Sequence, residues 1–181
     1  MRGTNIFKGY YNDAAATKKD LVDGWLHSGD LGELDADGFL HITGRKKDLI
    51  ITSSGKNISP ANIETLLRET RWISQAAVYG DNRPYLVALV TLDPDEIGAL
   101  AEKCGLVPEA GVMRTEERVR AAIQTEIDSV NSRLARIEQI KRFEILDHDL
   151  TQERGELTPT LKLKRPVVYQ RYADRFAALY A

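Results

Sequence analysis

Gly44-Arg45-Lys46-Lys47-Asp48 puts four charges into five residues between two apolar runs, Gly38-Phe39-Leu40-His41-Ile42 before it and Leu49-Ile50-Ile51 after it. A buried strand cannot carry such a run without partners for every charge, so the pentad reads as a joint between two pieces of chain. At 181 residues the chain has room for one domain of ordinary size, or for a smaller domain with part of a neighbour. Its composition, 43% hydrophobic and 29% charged, is that of a soluble globular protein. No apolar run comes near the roughly 20 residues that a membrane-spanning helix needs. Met1-Arg2-Gly3-Thr4-Asn5 has neither the apolar stretch nor the small-residue cleavage site of a secretory signal. The single cysteine, Cys104, has no internal partner, which fits a reducing compartment and a cytoplasmic location. Peripheral contact with the inner face of a membrane is left open by the composition.

A net charge of -2 gives no global reason to expect nucleic acid as a partner. Between Lys162 and Arg175, however, Lys162, Lys164, Arg165, Arg171 and Arg175 stand against Asp174 alone. A solvated basic helix face is the ordinary explanation for such a run.

The pattern before the joint predicts a short helix capped by Asp13, an extended Trp25-Leu26-His27, and a hairpin. In that hairpin Asp30–Leu34 and Gly38–Ile42 flank the turn Asp35-Ala36-Asp37. After the joint, Ser59-Pro60 supplies an N-cap and a first-turn proline for a helix to about Glu69, with Ile63, Leu66 and Leu67 on one face. Strands follow at 76–79 and 85–90, around Gly80-Asp81-Asn82-Arg83-Pro84. Asp93-Pro94-Asp95-Glu96 reads as a capping box opening another helix. A longer helix over 115–135 carries Val119, Ile123, Ile127, Val130 and Leu134 on one stripe. A strand at 143–146 and a tail helix over 166–179 complete an α+β fold, a small mixed sheet covered by helices.

Several segments invite a chemical reading. Gly29-Asp30 ends a strand with a carboxylate that has acceptors for a ribose diol, although alone it is a common turn. Arg45 lies across the hairpin from Asp30 and would suit a phosphate or ribose; a plain surface ion pair with Asp30 explains the spacing equally well. Ser53-Ser54-Gly55-Lys56 lacks the glycine and the hydroxyl residue that a phosphate-binding P-loop needs, since Ile50 and Asn57 occupy those positions. Leu161 and Leu163 alternate with Lys162 and Lys164, which places both ammonium groups on one side of an extended segment. His27, His41 and His148 have neither ligand spacing nor cysteine partners, so no metal site is expected. Cys104, at the end of an apolar helix, reads as packing.

Taken in order, these segments resemble the adenylate-forming superfamily of acyl-CoA synthetases, firefly luciferase and peptide-synthetase adenylation domains. Gly24-Trp25-Leu26-His27-Ser28-Gly29-Asp30 is similar to that family's Tyr/Phe-x-Thr-Gly-Asp motif, with His27 and Ser28 replacing the commoner residues. The run from Gly44 to Glu64 resembles its Gly-Arg-x-x-(Asp)-x-Ile…Gly-x-x-Ile-x-Pro-x-x-Ile-Glu motif. Leu157-Thr158-Pro159-Thr160-Leu161-Lys162-Leu163-Lys164-Arg165 resembles the last motif as long-chain fatty acid ligases carry it.

The resemblance implies Asp30 on the AMP ribose, Arg45 near ribose and phosphate, Lys47 as a hinge, Gly55 beside the pantetheine channel of CoA, and Lys162 as the adenylation lysine. Leu161 stands where the family usually has glycine, which leaves Lys164 as a second candidate. The implied reaction uses ATP, with Mg2+ accompanying it, to convert a fatty acid into acyl-AMP and pyrophosphate. CoA then takes the acyl group after the small domain rotates. On this reading residues 1–46 are the tail end of a large N-terminal AMP-binding domain and residues 47–181 are the mobile C-terminal domain. The phosphate loop and acyl tunnel would belong to the N-terminal domain, so this chain alone is expected to be inactive. Two other readings remain: transfer of acyl-AMP to a carrier protein in place of CoA, and a non-catalytic binding module. The joint presence of Asp30, Arg45, Gly55 and Lys162 weighs against the module.

Overall fold

The computed structural model describes residues 1–109 and 113–181. It divides into two compact units, Met1–Asp48 and Leu49–Ala181.

In the first unit, helix α1 (Ala14–Asp20) begins at Asp13, whose carboxylate accepts the Ala16 N–H at 2.8 Å, the cap expected from sequence. Strands β1 (Leu21–Val22) and β2 (Trp25–Leu26) pair antiparallel. Strands β3 (Asp30–Leu34) and β4 (Leu40–Arg45) form the predicted hairpin. Its turn is held by Asp35, whose carboxylate accepts the N–H groups of Asp37 and Phe39 at 3.0 and 2.9 Å. His41 also hydrogen-bonds this carboxylate, and that bond, first among the causes, lowers the pKa of Asp35. No described residue of this unit is buried. Leu34 faces Leu40 across the ladder, Gly32 faces Ile42, and Leu34, Phe39, Leu40 and Ile42 are each 60–70% exposed.

The second unit is organised by strand β8. After strands β5 (Ile50–Ile51) and β6 (Asn57–Ile58) and helix α2 (Pro60–Arg68), β7 (Ile73–Tyr79) pairs antiparallel with β8 (Leu86–Leu92). Helices α3 (Ile97–Cys104) and α4 (Glu117–Asn131) then lead to β9 (Ile140–Ile145), which pairs parallel with β8. A parallel return needs a long crossover, and the two helices provide it. Every residue of β8 is buried, because the sheet is covered on both faces. Leu86, Ala88 and Val90 join the core containing Ile63, Leu67, Ile123 and Ile127; Val87 and Leu89 join the core containing Leu157, Val168 and Phe176. This alternation is the two-residue period of a strand, and double coverage explains the uninterrupted apolar run Leu86-Val87-Ala88-Leu89-Val90. The mixed sheet with helices on it is the α+β architecture expected from sequence. No helix among the described residues is long and apolar enough to cross a membrane.

Local expectations differ from the structure at several points. The capping box at 93–96 is not formed: Asp93 accepts the Asp95 N–H at 2.9 Å in a tight turn, the helix starts at Ile97, and Glu96 pairs with Arg71 at 2.7 Å. Ser59 holds the N-cap position of α2 without a side-chain cap bond. Helix α4 stops at Asn131, because the Asn131 side chain bonds the backbone of Ile140 in both directions at 2.9 Å; Leu134 packs on the core from outside the helix. The tail helix breaks at Tyr172 into α5 (Arg165–Arg171) and α6 (Ala173–Ala178). Cys104 is buried in the core.

Candidate functional site

The candidate residues fall into two groups, one in each unit. In the first, the hairpin register sets Asp30 opposite Arg45, and Arg45 Nε lies 2.9 Å from Asp30 Oδ1. Gly29, at φ +74, turns the chain into β3, and its carbonyl accepts the Lys46 N–H at 2.8 Å. Sequence spacing therefore finds the right pair, and the geometry is that of an exposed ion pair. Lys47 is exposed in a single 3-10 turn, Lys46–Asp48, directly before the division between the units.

The second unit presents two loops. One joins β5 to β6 and carries Gly55 at φ +75, with nothing within 4 Å of where a Cβ would stand. Its shape is set by Thr52, buried at the loop's base: the Thr52 carbonyl accepts the Gly55 N–H at 2.8 Å and its hydroxyl accepts the Lys56 N–H at 3.2 Å. Glycine is needed here for the left-handed backbone, and it also leaves open space.

The other loop carries Lys162. The alternating extended segment expected at 161–164 is interrupted. The Leu161 N–H donates to the Thr158 carbonyl at 2.9 Å, the Thr158 N–H donates to the Lys162 carbonyl at 2.8 Å, and Leu157 bridges Leu163. Leu161 sits at φ +58 with 55% exposure, so it does not share the side of Leu163, which packs on the core. Four-residue closure of the turn forces that residue into the left-handed region, where a branched side chain is uncommon. Lys162 is the first residue after this turn and is exposed; Lys164 is also exposed and forms the N-cap of α5.

Two buried carboxylates tie these loops to the fold, and sequence assigned neither of them this role. Glu64, on α2, pairs with Arg165, the first residue of α5, and accepts the Val78 N–H at 3.1 Å. The helices that follow the two loops are thus pinned together. Burial, outweighing the attraction of Arg165, pushes the Glu64 pKa up from 4.5 to about 7. The signal was present: Pro60, Ile63, Glu64 and Leu67 have the spacing of one buried helical stripe. Glu156 is fully buried at the foot of the Lys162 turn. Its carboxylate accepts bonds from Tyr172 Oη at 2.6 Å, Arg171 Nη1 at 2.8 Å and the Thr151 N–H at 3.1 Å, while its carbonyl accepts the Lys164 N–H at 2.8 Å. Burial pushes its pKa up, but the bonds from Tyr172, Arg171 and Thr151 prevail and the net shift is down. The basic tail is likewise turned inward: Arg165 pairs with Glu64, Arg171 with Glu156, and Arg175 with Glu144 at 3.0 Å and Asp147 at 3.7 Å. Ion pairing, and not solvation alone, accounts for these arginines.

Residues 47–181 match the family model of the AMP-binding enzyme C-terminal domain, and the chain belongs to that family. Among curated proteins it is 41% identical over 182 residues to a long-chain-fatty-acid–CoA ligase of Mycobacterium tuberculosis, covering 99% of this chain and 30% of that protein. It is 40% identical over 200 residues to a long-chain-fatty-acid–CoA ligase of Gallus gallus, covering 99% of this chain and 26% of that protein. The chain therefore spans less than a third of the length of these relatives. Among solved structures, the A-PCP didomain of carboxylic acid reductase from Segniliparus rugosus, in complex with AMP, has a TM-score of 0.80 at 26% identity, covering 99% of this chain and 24% of that one. The O-succinylbenzoate coenzyme A synthetase of Bacillus subtilis, in complex with AMP, has a TM-score of 0.63 at 28% identity, covering 91% of this chain and 28% of that one.

Proposed function

We propose that the chain is the C-terminal part of an AMP-forming long-chain fatty acid–CoA ligase. The observation that carries this reading is the 41% identity, over 99% of the chain, to the mycobacterial ligase. Residues 1–46 then belong to the end of the N-terminal AMP-binding domain, residues 47–181 form the mobile domain, and Lys47 is the hinge between them. The exposed apolar face of the β3–β4 hairpin, Leu34, Leu40 and Ile42, supports this division, since such a face ordinarily packs on a neighbouring layer.

In this reading ATP, with its Mg2+, and a fatty acid bind against the N-terminal domain. The Mg2+ of this reading accompanies the ATP phosphates. Asp30 accepts the ribose hydroxyls and Arg45 approaches ribose and phosphate, exchanging part of their mutual ion pair for the nucleotide. Lys162 offsets the charge that develops around the α-phosphate as the carboxylate attacks, giving acyl-AMP and pyrophosphate. Lys162 is preferred to Lys164 because it follows the turn directly, whereas Lys164 is held at the start of α5. The Gly55 loop serves the second half-reaction, where open space at the glycine admits the pantetheine arm of CoA. The location assigned is cytoplasmic, with peripheral contact at the inner face of a membrane.

A second reading transfers the acyl group to a carrier protein; the likeness to the reductase A-PCP didomain favours it. The test is pyrophosphate release from ATP and a long-chain fatty acid, with product analysis, for the full-length ligase and for this chain alone. The full-length protein should release pyrophosphate and form acyl-CoA; the chain alone should release none. Release by the chain at a rate near that of the full-length enzyme would contradict the proposal, and an acyl group delivered only to a carrier would favour the second reading.

A further inference from the structure

Among the described residues the Gly55 loop and the Lys162 turn are braced by different groups, and the Glu64–Arg165 pair joins the helices that follow them. Strands β5 and β6 are two residues each, too short to hold a loop by themselves. They are fastened to the turn between β7 and β8: Asp81 Oδ1 accepts the Ile51 N–H at 3.0 Å, the Asn82 N–H donates to the Ile51 carbonyl at 2.8 Å, and the Arg83 carbonyl accepts the Ser53 N–H at 3.0 Å. Asp81 is the one side chain among these groups, and the turn it belongs to is continuous with the buried strand β8. The Lys162 turn is fastened elsewhere. Glu156 joins its foot to the Thr151 backbone and to Arg171 and Tyr172 at the break between α5 and α6. Tyr172 Oη is met on its other side by His148 Nε2 at 2.9 Å.

We propose that Asp81 and Glu156 are positioning residues for different half-reactions, Asp81 holding the Gly55 loop for thioester formation and Glu156, through Tyr172, holding the Lys162 turn for adenylation. This rests on the ligase reading above. Each residue acts through the loop it braces and touches no substrate. Because the bracing groups differ and the Glu64–Arg165 pair is untouched by either substitution, loss of one brace leaves the geometry of the other loop in place, as expected for sites without shared partners.

The test uses the full-length ligase and measures the two half-reactions apart: acyl-AMP formation without CoA, and acyl-CoA formation from supplied acyl-AMP. Asp81→Ala should slow thioester formation by about 10-fold or more, by analogy with small misplacements of reacting groups, and leave adenylation within about 2-fold. Asp81→Asn keeps an acceptor oxygen for the Ile51 N–H and should restore most of the thioester rate. Tyr172→Phe removes one donor to Glu156 with little change of shape, and should slow adenylation while sparing thioester formation. Glu156→Gln should act in the same direction more strongly, because its amide cannot accept from Thr151, Arg171 and Tyr172 together. Tyr172→Phe supplies the answer if Glu156→Gln does not fold. Equal loss of both half-reactions in Asp81→Ala and Tyr172→Phe, or no loss in either, would overturn the proposal. A wild-type full-length protein that forms no acyl-AMP would instead overturn the ligase reading on which it rests.

Discussion

The β3–β4 hairpin carries an apolar stripe among charged and polar residues, strand β8 is apolar at every position but Thr91, and the two have opposite fates. Leu34, Leu40 and Ile42 of the hairpin lie open, whereas each residue of β8 is buried between two layers of helices. Composition is one part of the difference, and coverage is the other. A strand becomes stable when other elements remove its side chains from water, and the second unit contains helices that do so on both faces. The first unit has one short helix and no buried residue among those described. A chain of this size is marginal in the core it can build by itself, so the contrast belongs to the number of packed layers and not to any one residue.

The largest effect that would break this comparison concerns autonomy. Residues 49–181 expressed alone should unfold in one cooperative transition, with the amides of β8 the most protected in hydrogen exchange; residues 1–48 alone should exchange at the rates of an unfolded chain. Protection in the short piece would mean that its hairpin is stable without a covering layer. A smaller effect comes from single side chains. Phe143→Ala, in the core beside β8, should cost about 3–5 kcal/mol in denaturant unfolding, while Ile42→Ala on the open hairpin should stay within about 0.5 kcal/mol. Similar costs for both would erase the distinction.

The smallest effect is a pH dependence located at Glu64. With its pKa raised from 4.5 to about 7, the folded state holds a proton there that the unfolded chain has released. The stability this contributes is complete below about pH 4.5 and is lost as pH rises to about 7. Glu64→Gln should remove that slope, so the stabilities of variant and wild type should diverge across this window by on the order of 3 kcal/mol, in favour of the variant at the upper end. Below the window, Glu156 and Asp147, both with lowered pKa values, act in the opposite sense and should be unaffected by the substitution.

Much of the second unit was legible because its signals are local and periodic. The stripe Val119, Ile123, Ile127 and Val130 and the unbroken apolar run of β8 need no tertiary information. The hairpin register that brings Arg45 to Asp30 was legible for the same reason. What was not legible depends on contacts remote in sequence. Glu156 is fully buried because Arg171 and Tyr172 return to it from a helix break that no residue between 166 and 179 announces. The left-handed Leu161 is imposed by closure of the Thr158–Lys162 turn against the preference of leucine. Asp93 and Glu96 looked like a cap because the pattern of residues was right; Arg71 takes the Glu96 carboxylate instead.

The central claim, that this unit brings one particular lysine to the chemistry, is tested most directly by pre-steady-state acyl-AMP formation in the full-length ligase carrying Lys162→Ala or Lys164→Ala. Loss of the Lys162 ammonium should slow adenylation by about 100-fold, roughly 3 kcal/mol, by comparison with other donors that stabilise developing charge. Thioester formation from supplied acyl-AMP should persist in that variant, and Lys164→Ala should leave adenylation largely intact. If Lys164→Ala abolishes adenylation while Lys162→Ala does not, the lysine has been assigned two residues too early and the account of the turn is wrong.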